Sequence, residues 1–309
     1  MLERPWLTPL VVAFWLVTTG WLVIAKILPS FAPGPPPGFQ AFYIPDSQPI
    51  PVGWTVLWND QPLGWAVADT KRTANGGLIV ESRVHCEALP LEDIIPGWTR
   101  SFLRPSLPDT ASIPLDARGQ VVIDPAGKLR SFASTVNVPG SEDLVVLRGT
   151  VHDGEVIVTV RTGAMQYETR RHLPEQMMIG DELSPQATLP GLFEGRRWTM
   201  PVYSPLRGGG SPIDILHAEV GPEEHFFWEN QLRRVHVVLY RDDPSSPREP
   251  RARIWVDSDG RVLKQEANML GAKLAFVRRS DESAAHLAQF RMSPPDASPR
   301  PAPRSSPPP

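Results

Sequence analysis

The residues best able to do covalent chemistry are few. Cys86 is the only thiol in 309 residues, and His85 precedes it directly. Adjacent residues on a strand point to opposite faces, so this pair cannot act alone as nucleophile and base. A hydrolase or transferase working through Cys86 would need a histidine from elsewhere in the fold, and a buried small apolar residue is the simpler reading. The seven histidines include His152, His172, His217, His225 and His236. They show neither helical spacing nor an HxH strand pair, so no metal site is expected. Glu223-Glu224-His225 reads as a charged turn between two strands rather than an acid–base site. Gly208-Gly209-Gly210 lacks the Lys-Ser/Thr of a phosphate loop, and no cofactor is expected. Asp257-Ser258-Asp259-Gly260 lacks the downstream carboxylates of a calcium loop and reads as a hairpin turn. No residue is therefore assigned as catalytic.

Aromatic residues are more informative. Among ten tryptophans, Trp54, Trp58 and Trp65 are expected on one sheet face, where such rings fill a core or line an apolar ligand cleft. They are the candidate ligand-binding residues.

The elements that hold them are strands. Trp54, Val56 and Trp58 alternate with Thr55, Leu57 and Asn59; a turn at Asn59-Asp60-Gln61-Pro62 follows; Leu63, Trp65 and Val67 then alternate with small residues. From Gly77 to Ala88, Leu78, Val80 and Val84 oppose Glu81, Arg83 and His85, which predicts one core face and one wet face. Asp153-Gly154 joins a run at 144–150 to one at 155–163 as a hairpin. Residues 120–130 and 253–263 form a weak repeat in which a strand ends at Asp, turns through Gly127 or Gly260, and restarts with a basic residue. Helix is scarce: a short turn within 90–104, interrupted by Pro96-Gly97, and a helix at 281–291 capped by Ser280, with Leu287 and Phe290 on one side. The fold class is mainly β, a meander of antiparallel strands over roughly 53–292.

The N-terminus is different in kind. Residues 7–28 carry a single charge, Lys26, and at about 1.5 Å per residue would cover about 30 Å of hydrocarbon. This predicts one transmembrane helix in contact with the lipid bilayer, with Trp6 and Trp21 near its ends. The alternative is a cleaved signal peptide, with Val23 and Ala25 as its small-residue site. Pro9 and the apolar circumference argue against a helix in a globular core. Arg4 and the short stretch before the helix lean toward a cytoplasmic tail at 1–6, placing the main domain outside the inner membrane, in the periplasm of a Gram-negative cell. Residues 29–52, with the Pro-rich run at 33–38, read as a semi-rigid stalk, and 293–309 as a disordered Pro-rich tail. The excess of arginine over lysine hints at a bacterial genome, and a net charge of −3 offers no basic field for nucleic acid.

Three stretches together carry a resemblance: Trp58 to Trp65; Leu192 to Pro205; and Ile254 to Asp257 with Phe276 to Arg278 and Asp281 to Ala284. They resemble the β-rich module that precedes transglutaminase-like domains in exported bacterial proteins, and related stand-alone periplasmic β domains. The resemblance spans most of 53–285 but rests on structural turns. The catalytic domain that follows in the fused relatives is missing here, so no Cys-His-Asp triad carries over. The resemblance implies a curved antiparallel sheet, a half-barrel similar to lipoprotein carriers, binding an apolar ligand or an envelope protein without catalysis. An assembly subunit of an envelope complex is the alternative.

Overall fold

The structure is a computed structural model and describes residues 7–23, 50–90, 112–163, 165–172, 178–179, 185–203, 213–269 and 272–292. The N-terminal tail, most of the expected stalk, the turn expected within 90–104, the glycines at 208–210 and the C-terminal tail lie outside these residues.

Helix α1 spans Leu7–Leu22. Its large apolar side chains are exposed: Phe14 is 70% and Val17 72% exposed, and Leu10, Trp15 and Trp21 are exposed as well. No described helix is long and apolar enough to cross a membrane.

The rest is one antiparallel meander and a closing helix. In chain order the strands are β1 Val52–Trp58, β2 Gln61–Arg72, β3 Leu78–Pro90, β4 Ser112–Ile123, β5 Leu129–Val138, β6 Ser141–His152, β7 Glu155–Thr162 and β8 Met165–His172. They continue with β9 Met178–Ile179, β10 Arg197–Tyr203, β11 Ile213–Trp228, β12 Gln231–Arg241, β13 Ala252–Asp257, β14 Val262–Met269 and β15 Ala272–Arg278. Helix α2 is Asp281–Arg291. All fifteen strands form a single sheet in the order β8-β7-β6-β5-β4-β3-β2-β1-β15-β14-β13-β12-β11-β10-β9. Each strand from β2 to β8 and from β10 to β15 pairs with its predecessor; β9 does not pair with β8 but runs parallel to β10 at the far edge, and β15 closes against β1. Among the described residues the observed class is therefore mainly β, an antiparallel sheet with two helices. The sheet is open, with β8 and β9 as its edges.

Turn chemistry sets the register. Asn59 and Asp60 (φ 48° and 65°) and Asp153 and Gly154 (φ 49° and 77°) make two-residue hairpins in the left-handed region, whose twist matches the strands. The repeat is a pair of matching turns. The Asp124 carboxylate accepts from the Lys128 amide at 2.8 Å and the Asp257 carboxylate from the Arg261 amide at 2.9 Å. Gly127 and Gly260 donate back to the Asp carbonyls at 2.9 and 3.0 Å.

Following the register across the sheet, Trp54, Val84, Ala117, Phe132, Leu147 and Val158 all fall on one face. In the other direction Phe276, Ile254, Val238, Ala218 and Trp198 fall on that same face. The three largest apolar clusters lie on it. We call it the core face. The opposite face carries α2 over β1 and β2.

Three expectations change. Trp65 leaves the face of Trp54 and Trp58, because Leu63 is an extra residue in β2 where the pairing steps from Leu57–Pro62 to Val56–Gly64. Without that bulge Trp65 would lie opposite Trp54; with it, Trp65 pairs with Thr55 on the helix face. Glu223-Glu224-His225 is no turn: it lies inside β11 beyond a bulge after Val220, paired with His236, Val235 and Arg234 of β12. In α2 the buried stripe is Ala284 and Ala288 with Leu287 partly covered, while Phe290 is exposed against the His286 ring.

Candidate functional site

On the core face, Trp54 and Trp58 are buried in one cluster with Leu63, Ala66, Val84, Cys86 and Phe276. Cys86 is 1% exposed, and burial pushes its thiol up from 9.0 to about 11. At neutral pH it is a protonated, covered thiol, a poor nucleophile.

A strap, residues 185–190, crosses this face between the Trp54 cluster and that of β10–β14. Ala187 packs against the first and Leu189 enters the second. Backbone bonds tie the strap at Leu189–Gly260 (2.7 Å) and Val262–Ala187 (3.1 Å), and the Gln186 amide donates to Gln265 Oε1 at 3.1 Å. Arg278 donates from a terminal nitrogen to the Ala187 carbonyl at 3.1 Å, with Asp281 at 3.6 Å. Desolvation lowers the Arg278 guanidinium from its usual pKa.

The core face is not wholly hydrocarbon. Trp54 Nε1, Trp198 Nε1, the Tyr240 hydroxyl, Arg278 Nε and Gln186 Oε1 are buried without a hydrogen-bond partner among the described residues. Trp198 and Tyr240 meet edge to face at 6.1 Å, and the Arg196 guanidinium lies 5.4 Å from the Trp198 ring. Buried donors of this kind create a demand for an acceptor.

The helix face holds the polar constellation. Trp65 stacks on His85 at 5.5 Å, and the guanidiniums of Arg83 and Arg291 lie 5.6 and 5.4 Å from the Trp65 ring. Arg83 grips Asp116 through two nitrogens at 2.7 and 2.9 Å and donates to the Arg291 carbonyl, the end of α2, at 2.6 Å. Arg118 Nε and His85 Nδ1 are each 3.4 Å from Asp116. At the other end of α2, Ala284 sits so close to Gly53 that a Cβ there would lie 3.1 Å from its Cα. An Asp beside a His is half of a nucleophile-activating set, but His85 makes no hydrogen bond to a hydroxyl or thiol among the described residues. Cys86 is on the far side of the sheet. The cluster fastens α2 and has no nucleophile. No group of metal-binding residues occurs among the described residues. The sequence signal for this cluster was the wet face Glu81, Arg83 and His85; Asp116 and Arg291 are brought in by pairing and helix docking that short-range patterning does not report.

No family model matches the chain, and no curated protein matches it by sequence. Among solved structures it is similar to a β-barrel-like protein of domain of unknown function DUF1849 from Brucella abortus. The identity is 10% and the TM-score 0.45, over 75% of this chain and 96% of that one.

Proposed function

We propose that this protein is a membrane-anchored extracytoplasmic β domain that acts by binding, without catalysis, and that its ligand is lipid-like: an apolar chain bearing a hydrogen-bond acceptor. The observation that carries this reading is the core face, apolar across the whole open sheet yet holding the orphaned donors of Trp54, Trp198 and Tyr240. Apolar lining recognises the chain, and the donors recognise its polar end. The buried thiol and the nucleophile-free His85–Asp116 pair support binding over turnover. An envelope protein partner, as in the half-barrel modules that the sequence resembles, is the second reading, and the two open sheet edges favour it.

The anchor is supported by α1, whose large apolar side chains Phe14, Trp15, Val17 and Trp21 are exposed. Residues 7–28 would place it in the inner membrane with the domain in the periplasm.

The ligand is tested by solvent extraction and native mass spectrometry of the full chain purified in detergent. An apolar molecule held at fixed stoichiometry, and lost in the Trp54→Ala variant, is the expected result; a ligand-free chain that takes up no phospholipid overturns it. The anchor is tested by alkaline extraction of membranes: the chain stays in the pellet, and its release refutes anchoring. A reporter after Pro309 should be active only outside the cytoplasm.

A further inference from the structure

The strand β8 ends the sheet, and one of its two edges has no neighbour among the described residues. Seven of its eight side chains are exposed, Thr169 being half-buried. It is long and regular, and no described residue pairs with its outer side, the kind of edge on which a further strand docks through main-chain hydrogen bonds. We propose that this edge binds the same edge of a second copy, β8 against β8 in antiparallel register about a two-fold axis through Thr169.

The register follows from the charges in Met165-Gln-Tyr-Glu-Thr-Arg-Arg-His172. A two-fold axis perpendicular to the sheet keeps the core faces of both copies on one side and must pass through a residue position. Centred on Glu168, it opposes two carboxylates; centred on Arg170 or Arg171, two guanidiniums. Centred on Tyr167, it leaves Arg170 and Arg171 beyond the paired residues. Centred on Thr169, it sets Glu168 against Arg170 of the second copy twice over, Tyr167 against Arg171 twice over, and Gln166 against His172 twice over. Opposite charges directly across a strand pair stabilise it, and arginine packs well on a phenol ring. Neither Glu168 nor Arg170 forms an ion pair among the described residues of its own copy, so both are available. Other occupants fit less well. The opposite edge, β9, is two residues long and runs parallel to β10. The C-terminal segment is about half proline, which cannot donate to a ladder.

The arrangement is tested on the full chain in detergent. Thr169→Cys places a thiol on the axis, at the spacing a disulfide needs. Mild oxidation should convert this variant to a covalent dimer, and Cys86, being buried, should not react. Glu168→Arg or Arg170→Glu should each raise the dimer dissociation constant about tenfold, since each sets like charges opposite each other twice. The double variant E168R/R170E should restore the wild-type value within about threefold. A chain that stays monomeric at all concentrations, with no Thr169→Cys cross-link, overturns the proposal. So does a dimer that the single charge reversals leave unchanged, or one that the double variant does not restore.

Discussion

Trp65 and His85 are register partners on β2 and β3, their rings stacked 5.5 Å apart on the face opposite Cys86. Trp65 is also the plate on which α2 rests, through Ala288, Leu287 and the Arg291 guanidinium. Trp65→Ala should cost about 3–5 kcal/mol, as for other buried large aromatics. The loss should be local before it is global. Amide exchange across Asp281–Arg291 should accelerate well ahead of β1 and β2, and equal acceleration in the helix and the strands would refute the docking role.

Cys86 gives a prediction in pH. Burial raises its pKa from 9.0 to about 11, so the folded chain holds this proton more tightly than the unfolded one. Its contribution is therefore complete below about pH 9 and is lost as pH climbs toward 11. Comparing wild type with Cys86→Ala in denaturant at pH 7, 9 and 11 should show the difference narrowing only in the upper interval. Iodoacetamide at pH 8 should leave the folded thiol unmodified and label it once the chain is unfolded.

Gly149 and Phe132 are opposed on the core face, and a Cβ on Gly149 would meet the Phe132 ring at 2.1 Å. Gly149→Ala should destabilise by about 1–3 kcal/mol through overpacking. Adding Phe132→Leu should recover part of that loss rather than add to it, giving a coupling energy of about 1 kcal/mol in a double-mutant cycle. Strict additivity would mean that the ring is not what limits the site.

The two matching turns should not respond equally. Asp257 is buried and accepts from the amides of Asp259 and Arg261 and from Arg261 Nε, whereas Asp124 is only half-covered and holds the Lys128 amide. Asp257→Ala should cost about 2–3 kcal/mol and Asp124→Ala about 1 kcal/mol, since the first orphans more buried donors. Equilibrium unfolding of the two variants side by side decides it.

Local chemistry in the sequence was enough for β1 to β3, β6 and β7, the Asn59-Asp60 and Asp153-Gly154 hairpins, the paired Asp turns and the Ser280 cap. Each is written within about ten residues. What failed was parity. A single extra residue at Leu63 carried Trp65 to the other face, and a bulge after Val220 kept the chain extended where charges suggested a turn. Bulges depend on the partner strand, so alternation in one strand cannot reveal them. The helix-face cluster was hidden for a related reason: Arg83, Asp116 and Arg291 are distant in sequence and meet only once the sheet and helix are assembled.

The pairing of β1 with β15 ties Thr55 to Arg279 across 224 residues. That seam makes the first strand wait for the last. A chain made or exported from its N-terminus holds β1 with one side unpaired until nearly all the rest has emerged, so completion of the sheet is a late, non-local event and folding should be slow for the size of the domain. During that interval the exposed ladder of Val52–Trp58 is the segment most open to wrong pairing, and any factor that shepherds this chain as it folds would do its work there.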